Sequence, residues 1–321
     1  MDKVYSAMGA SGLNAHTGDE ETVYKVNLPS NRLEQWARME AERFADPVFR
    51  LFQTELETVY EEKNCTIDNK DRLIRNAVNR QLWKVHPYGQ RTTIGTVEHL
   101  KNPSLQRMYK YFGTWYVPNN MAVVISGDID IDYAIGLIDE HFSAWQPKEL
   151  PDLPKWKEPK LVGVESVEVL YPGEEYVLLA FRTQPSSHKH TEALQLVDMI
   201  LDNSTAGLIN LNLNQQQRVR RAGSWTTSHG NANDLGAQYL YGIPKEGQSL
   251  EEVQGLLLEQ LEILKRGDFE QRLIPAIVRT SRRATSASSK VMAPASAWYA
   301  RLIWPSKTGT RPVANSTVWR W

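Results

Sequence analysis

The sequence predicts an α+β protein of two domains, each a mainly antiparallel sheet with helices packed on it. Three observations lead there. The 321 residues exceed the ~100–200 typical of one domain. Strand and helix signals mix without the regular strand–helix–strand alternation of a doubly wound parallel sheet. Pro147, Pro151, Pro154 and Pro159 punctuate a charged stretch over 146–160, a semi-rigid linker composition. Domains are therefore expected at 1–145 and 161–278, with a compositionally distinct tail at 279–321.

The elements follow in order. Leu13 to Thr17 and Thr22 to Leu28 read as a β-hairpin, with Tyr24, Val26 and Leu28 alternating with polar neighbours and Gly18-Asp19 supplying the turn. Asn31, with Glu34 three residues on, has the form of an N-cap for a helix running to Phe44. Asp46-Pro47 opens the next helix, over about 47–63, since proline is tolerated at the first helical position. Along it Val48, Phe49, Leu51, Phe52, Leu56, Val59 and Tyr60 form one broad apolar arc. Glu57 and Glu61 fall outside that arc, whereas Glu55 and Glu62, two turns apart, fall inside it. An inward carboxylate is costly unless it is paired, protonated or bound to a metal. Periodicity alone leaves a structural ion pair, a partly solvated edge of the arc and a metal ligand all open.

Further helices are predicted from Asn102-Pro103 to Phe112 and from Ile131 to Phe142, with a buried strand over Met121 to Ile125 ended by Ser126-Gly127-Asp128. In the second half, Ser166 to Tyr171 and Glu175 to Thr183 read as a strand pair around Pro172-Gly173, followed by a helix over about Thr191 to Asp202. Ser249 and Glu252 form a capping box for a helix whose stripe is Leu250, Val253, Leu257, Leu261 and Leu264, and Gly267 ends it.

Composition excludes several classes. Hydrophobic residues make up 41% and charged residues 23%, ordinary for a globular chain. Aliphatic and aromatic runs such as Val177 to Phe181 are far short of the ~20 residues of a membrane span. Met1 to Tyr5 is not followed by a signal-peptide apolar stretch, and nothing assigns a compartment. The single cysteine, Cys65, excludes a disulfide framework and a cysteine-based zinc knuckle. Arg279 to Trp321 hold eight Lys/Arg and no Asp/Glu, leaving the rest of the chain at a net charge of −9, which argues against nucleic acid as a partner. That tail, with four of the ten tryptophans and no clear apolar period, reads as out of frame or as a genuine basic extension. HExxH, Walker A and GxSxG motifs do not occur. His188-Lys189-His190 lies in a polar setting and reads as surface, and Gly9-Ala10-Ser11-Gly12 lacks the Lys-Ser/Thr of a phosphate loop.

Several short motifs share an order. They are Gly12-Leu13-Asn14-Ala15-His16-Thr17, Phe49-Arg50, Glu55 to Glu62, His86-Pro87-Tyr88-Gly89, Tyr116 to Met121, Ser126-Gly127-Asp128 and Pro244-Lys245-Glu246-Gly247. In this order they resemble the insulinase/pitrilysin family of zinc metallopeptidases, the inverzincins, which include mitochondrial processing peptidase. The resemblance covers roughly residues 1–278 and implies two processing-peptidase-like domains. In that family zinc is held by two histidines of an HxxEH motif and a later glutamate, and the motif's own glutamate activates water. The resemblance makes Glu62 the third zinc ligand and Glu55 a carboxylate behind it. It places Asn14, Ala15 and His16 on an edge strand that pairs with extended substrate. The implied partners are a peptide or unfolded protein segment and a second peptidase-like domain pair or subunit.

HxxEH is absent from the 321 residues, and the family spacing puts it ahead of Met1. The chain is thus expected to be a fragment of a zinc metalloendopeptidase, lacking its first segment and its general base. One ligand does not hold catalytic zinc, which takes three from the protein, so the chain alone is expected to be inactive. The alternative is a non-catalytic interaction subunit of the same family that assists an active partner.

Overall fold

The structure, a computed structural model, describes residues 1–185, 187–203, 205–227, 235–280 and 317–319. The chain forms two compact units. The first contains residues 1–76 and 83–161 with the described residues of 302–321, and the second contains 77–82 with the described residues of 162–301. The expected tail at 279–321 thus lies outside the described residues except for 279, 280 and 317–319.

In the first unit α1 (Asp2–Ala7) leads into the hairpin of β1 (Ser11–Thr17) and β2 (Thr22–Asn27). The two strands pair antiparallel, with Asn14 opposite Lys25 and Thr17 opposite Thr22. On β2 the buried residue is Val23 rather than Tyr24, because the Tyr24 ring lies against Phe44 and Tyr116 at the margin of an aromatic cluster. A 3₁₀ turn, Ser30–Arg32, then precedes α2 (Leu33–Ala45). That turn moves the cap position to Arg32, so Asn31 makes no capping bond.

The remaining helices of this stretch are α3 (Phe52–Ile67), α4 (Lys70–Leu82, whose last turn belongs to the second unit), α5 (Pro87–Gln90), α6 (Val97–Lys101) and α7 (Leu105–Trp115). After them come β3 (Val123–Ile125) and α8 (Ile131–Phe142). Asp130 caps α8 by accepting the Tyr133 N–H at 2.8 Å. The core is built by α2 on α8: Leu33, Ala37 and Ala41 meet Ala134, Leu137, Ile138 and Phe142, with Val123 and Ile125 of β3 packed beside them. Alanines at the contact allow close helix approach. The strand Thr317–Trp319 pairs antiparallel with β3.

The second unit is a three-stranded antiparallel sheet covered by helices. Its elements are β4 (Val177–Thr183), α9 (Thr191–Leu201), a π-helical turn (Asn210–Asn214), β5 (Arg221–Thr226), β6 (Gly236–Ile243) and α10 (Leu250–Arg266), with helix again over 273–280. The order is β4-β6-β5, and Leu179, Leu240 and Ser224 lie in register across it. Ile200, Leu201, Leu213, Leu240, Val253 and Leu257 form the core. At Gly242 a Cβ would come within 2.4 Å of Val253 Cγ1, so glycine is what lets α10 lie this close to β6. Both bonds of the Ser249–Glu252 capping box are made, and Gly267 ends α10 at φ +69°. The expected strand over Ser166 to Tyr171 does not form; the valine-rich pattern supplies propensity, but β4 takes β6 as its partner instead. Among the described residues no helix is long and apolar enough to cross a membrane.

Candidate functional site

Glu55 and Glu62 lie on α3, which starts at Phe52 rather than Pro47 because Leu51 adopts a left-handed conformation, φ +55°. That changes the arc. Val48, Phe49 and Leu51 precede the helix, so the apolar face narrows to Phe52, Leu56, Val59 and Tyr60, all half-buried. Glu55 and Glu62 therefore flank it and are exposed, as Glu57 and Glu61 are, and α3 has no buried residue. The inward placement expected from periodicity is corrected accordingly, and no burial penalty bears on either carboxylate. Neither has a hydrogen-bond or ion-pair partner among the described residues. Seven residues separate them by about 10 Å along the axis, so they do not form a paired-carboxylate centre of their own.

Glu62 is chemically able to ligate zinc, being exposed and free of protein partners among the described residues. Catalytic zinc needs three protein ligands at ~2.0–2.3 Å. No group of three His, Cys, Asp or Glu among the described residues is placed to hold a metal. These residues do not fit a zinc centre by themselves.

Asn14, Ala15 and His16 occupy the middle of β1, where all seven residues are exposed. One edge of β1 pairs with β2, and the other has no strand partner among the described residues. Asn14 Oδ1 accepts the Ala15 N–H at 2.8 Å. The chemistry available here is backbone hydrogen bonding to an extended chain.

Sequence reading missed a buried polar network. Glu40 is 4% exposed and accepts from the Tyr5 hydroxyl and from Arg43 Nη2. The Arg43 guanidinium lies 4.7 Å from the Tyr24 ring centroid and 4.3 Å from that of Phe44, and the Tyr24 and Tyr116 hydroxyls are 3.0 Å apart. Burial raises the Tyr5 phenol above its usual range, its bond to Glu40 adds to this, and Arg43 opposes it. Burial likewise raises Tyr24, followed by its bond to Tyr116. Both phenols stay protonated at neutral pH. The signal for Glu40 was legible, since it shares the face of α2 that carries Ala37, Ala41 and Phe44.

Residues 103–280 match the family described as the peptidase M16 inactive domain, and the chain belongs to that family. It is 25% identical over 282 residues to the zinc protease PqqE of Helicobacter pylori, covering 84% of this chain and 62% of the relative. It is 32% identical over 149 residues to the probable zinc protease PqqL of Haemophilus influenzae, covering 43% of this chain and 15% of that one. The chain therefore spans less than two thirds of the length of these curated relatives. The crystal structure of a protease from Helicobacter pylori shares the fold at a TM-score of 0.79 and 22% identity, over 94% of this chain and 74% of that one. The first half of the periplasmic protease PqqL from Escherichia coli follows at 0.67 and 17%, over 90% and 64%.

Proposed function

We propose that this chain is part of an M16 zinc endopeptidase that acts on extended peptides or unfolded protein segments. In this reading the open edge of β1 aligns substrate through Asn14, Ala15 and His16. Glu62 contributes one zinc ligand, Glu55 orders the site from behind it, and the two histidines and the general base come from residues other than these 321. The observation that carries the reading is the fully exposed seven-residue β1, paired on one edge only among the described residues. Backbone pairing contributes ~0.5–1.5 kcal/mol per bond regardless of side chain, which suits a binder of unfolded sequence. In this reading the 321 residues by themselves hydrolyse nothing, since HxxEH does not occur among them and one carboxylate does not hold catalytic zinc. A second reading, an interaction subunit that binds substrate for an active partner, draws support from the description of the matched region as an inactive domain. It uses the same edge.

Proline substitution tests the edge. Consecutive strand residues send their N–H groups to opposite sides, so Asn14→Pro and Ala15→Pro remove donors from different edges. One variant is expected to lose binding of a fluorescently labelled unfolded protein while its melting temperature stays unchanged. The other is expected to loosen the hairpin and lower the melting temperature. If neither weakens binding except through unfolding, β1 is not the substrate edge.

A further inference from the structure

The proline-punctuated stretch 146–160 is not a free linker. At its start the Asn119 side chain pairs both ways with Lys148, donating to its carbonyl at 2.8 Å and accepting its N–H at 3.1 Å, while Lys148 Nζ donates to the Gly113 carbonyl at 3.2 Å. At its far end the Glu158 carboxylate accepts three consecutive backbone N–H groups: Lys84 at 2.8 Å, Val85 at 2.9 Å and His86 at 2.5 Å. Successive amides converging on one anion make a nest. Two residues earlier the Trp156 ring meets the buried His86 ring edge-on, centroids 4.9 Å apart. Every one of these groups belongs to the first unit.

The nest is itself held in shape. It begins two residues after the end of α4, where the backbone leaves the helical ladder. Gln90 Nε2 reaches back to the carbonyls of Trp83 and Lys84 at 3.0 and 2.9 Å, and His86 Nδ1 accepts the Tyr88 N–H at 3.2 Å. With these carbonyls turned toward Gln90, the Lys84, Val85 and His86 amides point to Glu158. Four prolines between 147 and 159 stiffen the tied segment and reduce the conformational entropy lost on fastening it.

We propose that 146–160 is a strap and that Glu158 is its latch. The chain passes between the two units at 76/77, 82/83 and 161/162. The nest begins two residues after the second of these passages, and Glu158 lies three residues before the third. The latch therefore ties those two stretches of chain together within the first unit. With Glu158 seated, the strap is rigid between Lys148 and Glu158. With it released, residues 149–161 lose their tie to the nest and keep the Lys148 bonds to Asn119 and Gly113 and the Trp156 contact with His86. This is a conformational device independent of the peptidase reading.

Limited trypsinolysis of the full chain tests it, because the bonds after Lys155 and Lys157 lie inside the fastened strap. Glu158→Ala is expected to speed cleavage at those two lysines by roughly ten- to a hundred-fold, the loss of charge-assisted bonds to one acceptor, with the melting temperature lowered by no more than a few degrees. Gln90→Ala, which unshapes the nest but keeps the carboxylate, should speed the same cuts to a smaller degree. Cleavage at Lys155 and Lys157 as fast in the unmodified chain as in Glu158→Ala overturns the latch. Should Glu158→Ala not fold, hydrogen exchange on the unmodified chain decides. Protection of the Lys84, Val85 and His86 amides supports the latch, and exchange at free-loop rates overturns it.

Discussion

Glu40 shows how a buried charge is kept in place. Its carboxylate has two donors, Tyr5 and Arg43, and Arg43 in turn is shelved on the rings of Tyr24 and Phe44. Taking away either donor leaves a carboxylate in a setting where it is 4% exposed. Tyr5→Phe keeps the ring and removes one bond, so it should cost about 1–3 kcal/mol, read as a lowered denaturation midpoint at unchanged slope. The same phenol sets an alkaline limit. Its folded value lies above the ordinary 10.0, so the stability it contributes is complete below that value and is lost as pH rises through the higher folded one. Melts carried from neutral into alkaline pH should show this loss, and Tyr5→Phe should flatten it. An unchanged alkaline slope in the variant would assign the loss to other groups, Tyr24 first among them.

Helix starts separate what local sequence decides from what it does not. Ser249 with Glu252 and Asn31 with Glu34 have the same spacing and the same cap-then-acid form. The first makes both reciprocal bonds, whereas the second is displaced by the 3₁₀ turn Ser30–Arg32. Ser249→Ala should therefore cost about 1 kcal/mol, and Asn31→Ala close to nothing, by chemical denaturation. A measurable cost at Asn31 would mean that its cap forms in solution after all. The β1–β2 hairpin and the span of α8 were legible because their signals lie within a few residues. The start of α3 was not, because it depends on the left-handed backbone at Leu51, a conformation that leucine seldom adopts and periodicity ignores. That single torsion removed three apolar residues from the arc and turned Glu55 and Glu62 from inward to flanking. The seat of Glu158 was invisible for another reason. Its partners lie more than 70 residues away, and only the folded chain brings them together.

At the scale of the whole molecule, the zinc role proposed for Glu62 is tested against its neighbour Glu61. Glu62 and Glu61 are both exposed on α3, so exposure alone predicts that they respond alike to substitution. A ligand role predicts that they diverge. The purified 321-residue chain should retain well under one equivalent of zinc after dialysis, because one carboxylate supplies one of the three protein ligands that catalytic zinc requires. Adding a segment that carries HxxEH, fused or as a separate chain, should bring zinc to one equivalent and yield chelator-sensitive hydrolysis of an unfolded protein. In that assembly Glu62→Gln should remove both the metal and the activity, and Glu61→Gln should leave both nearly intact. Glu55→Gln should weaken zinc by ~10–100-fold, the range for a residue that orients a ligand. Metal analysis beside the activity assay keeps the two readings of the chain apart. Zinc bound without hydrolysis favours the interaction subunit, and equal losses at positions 61 and 62 remove Glu62 from the ligand set.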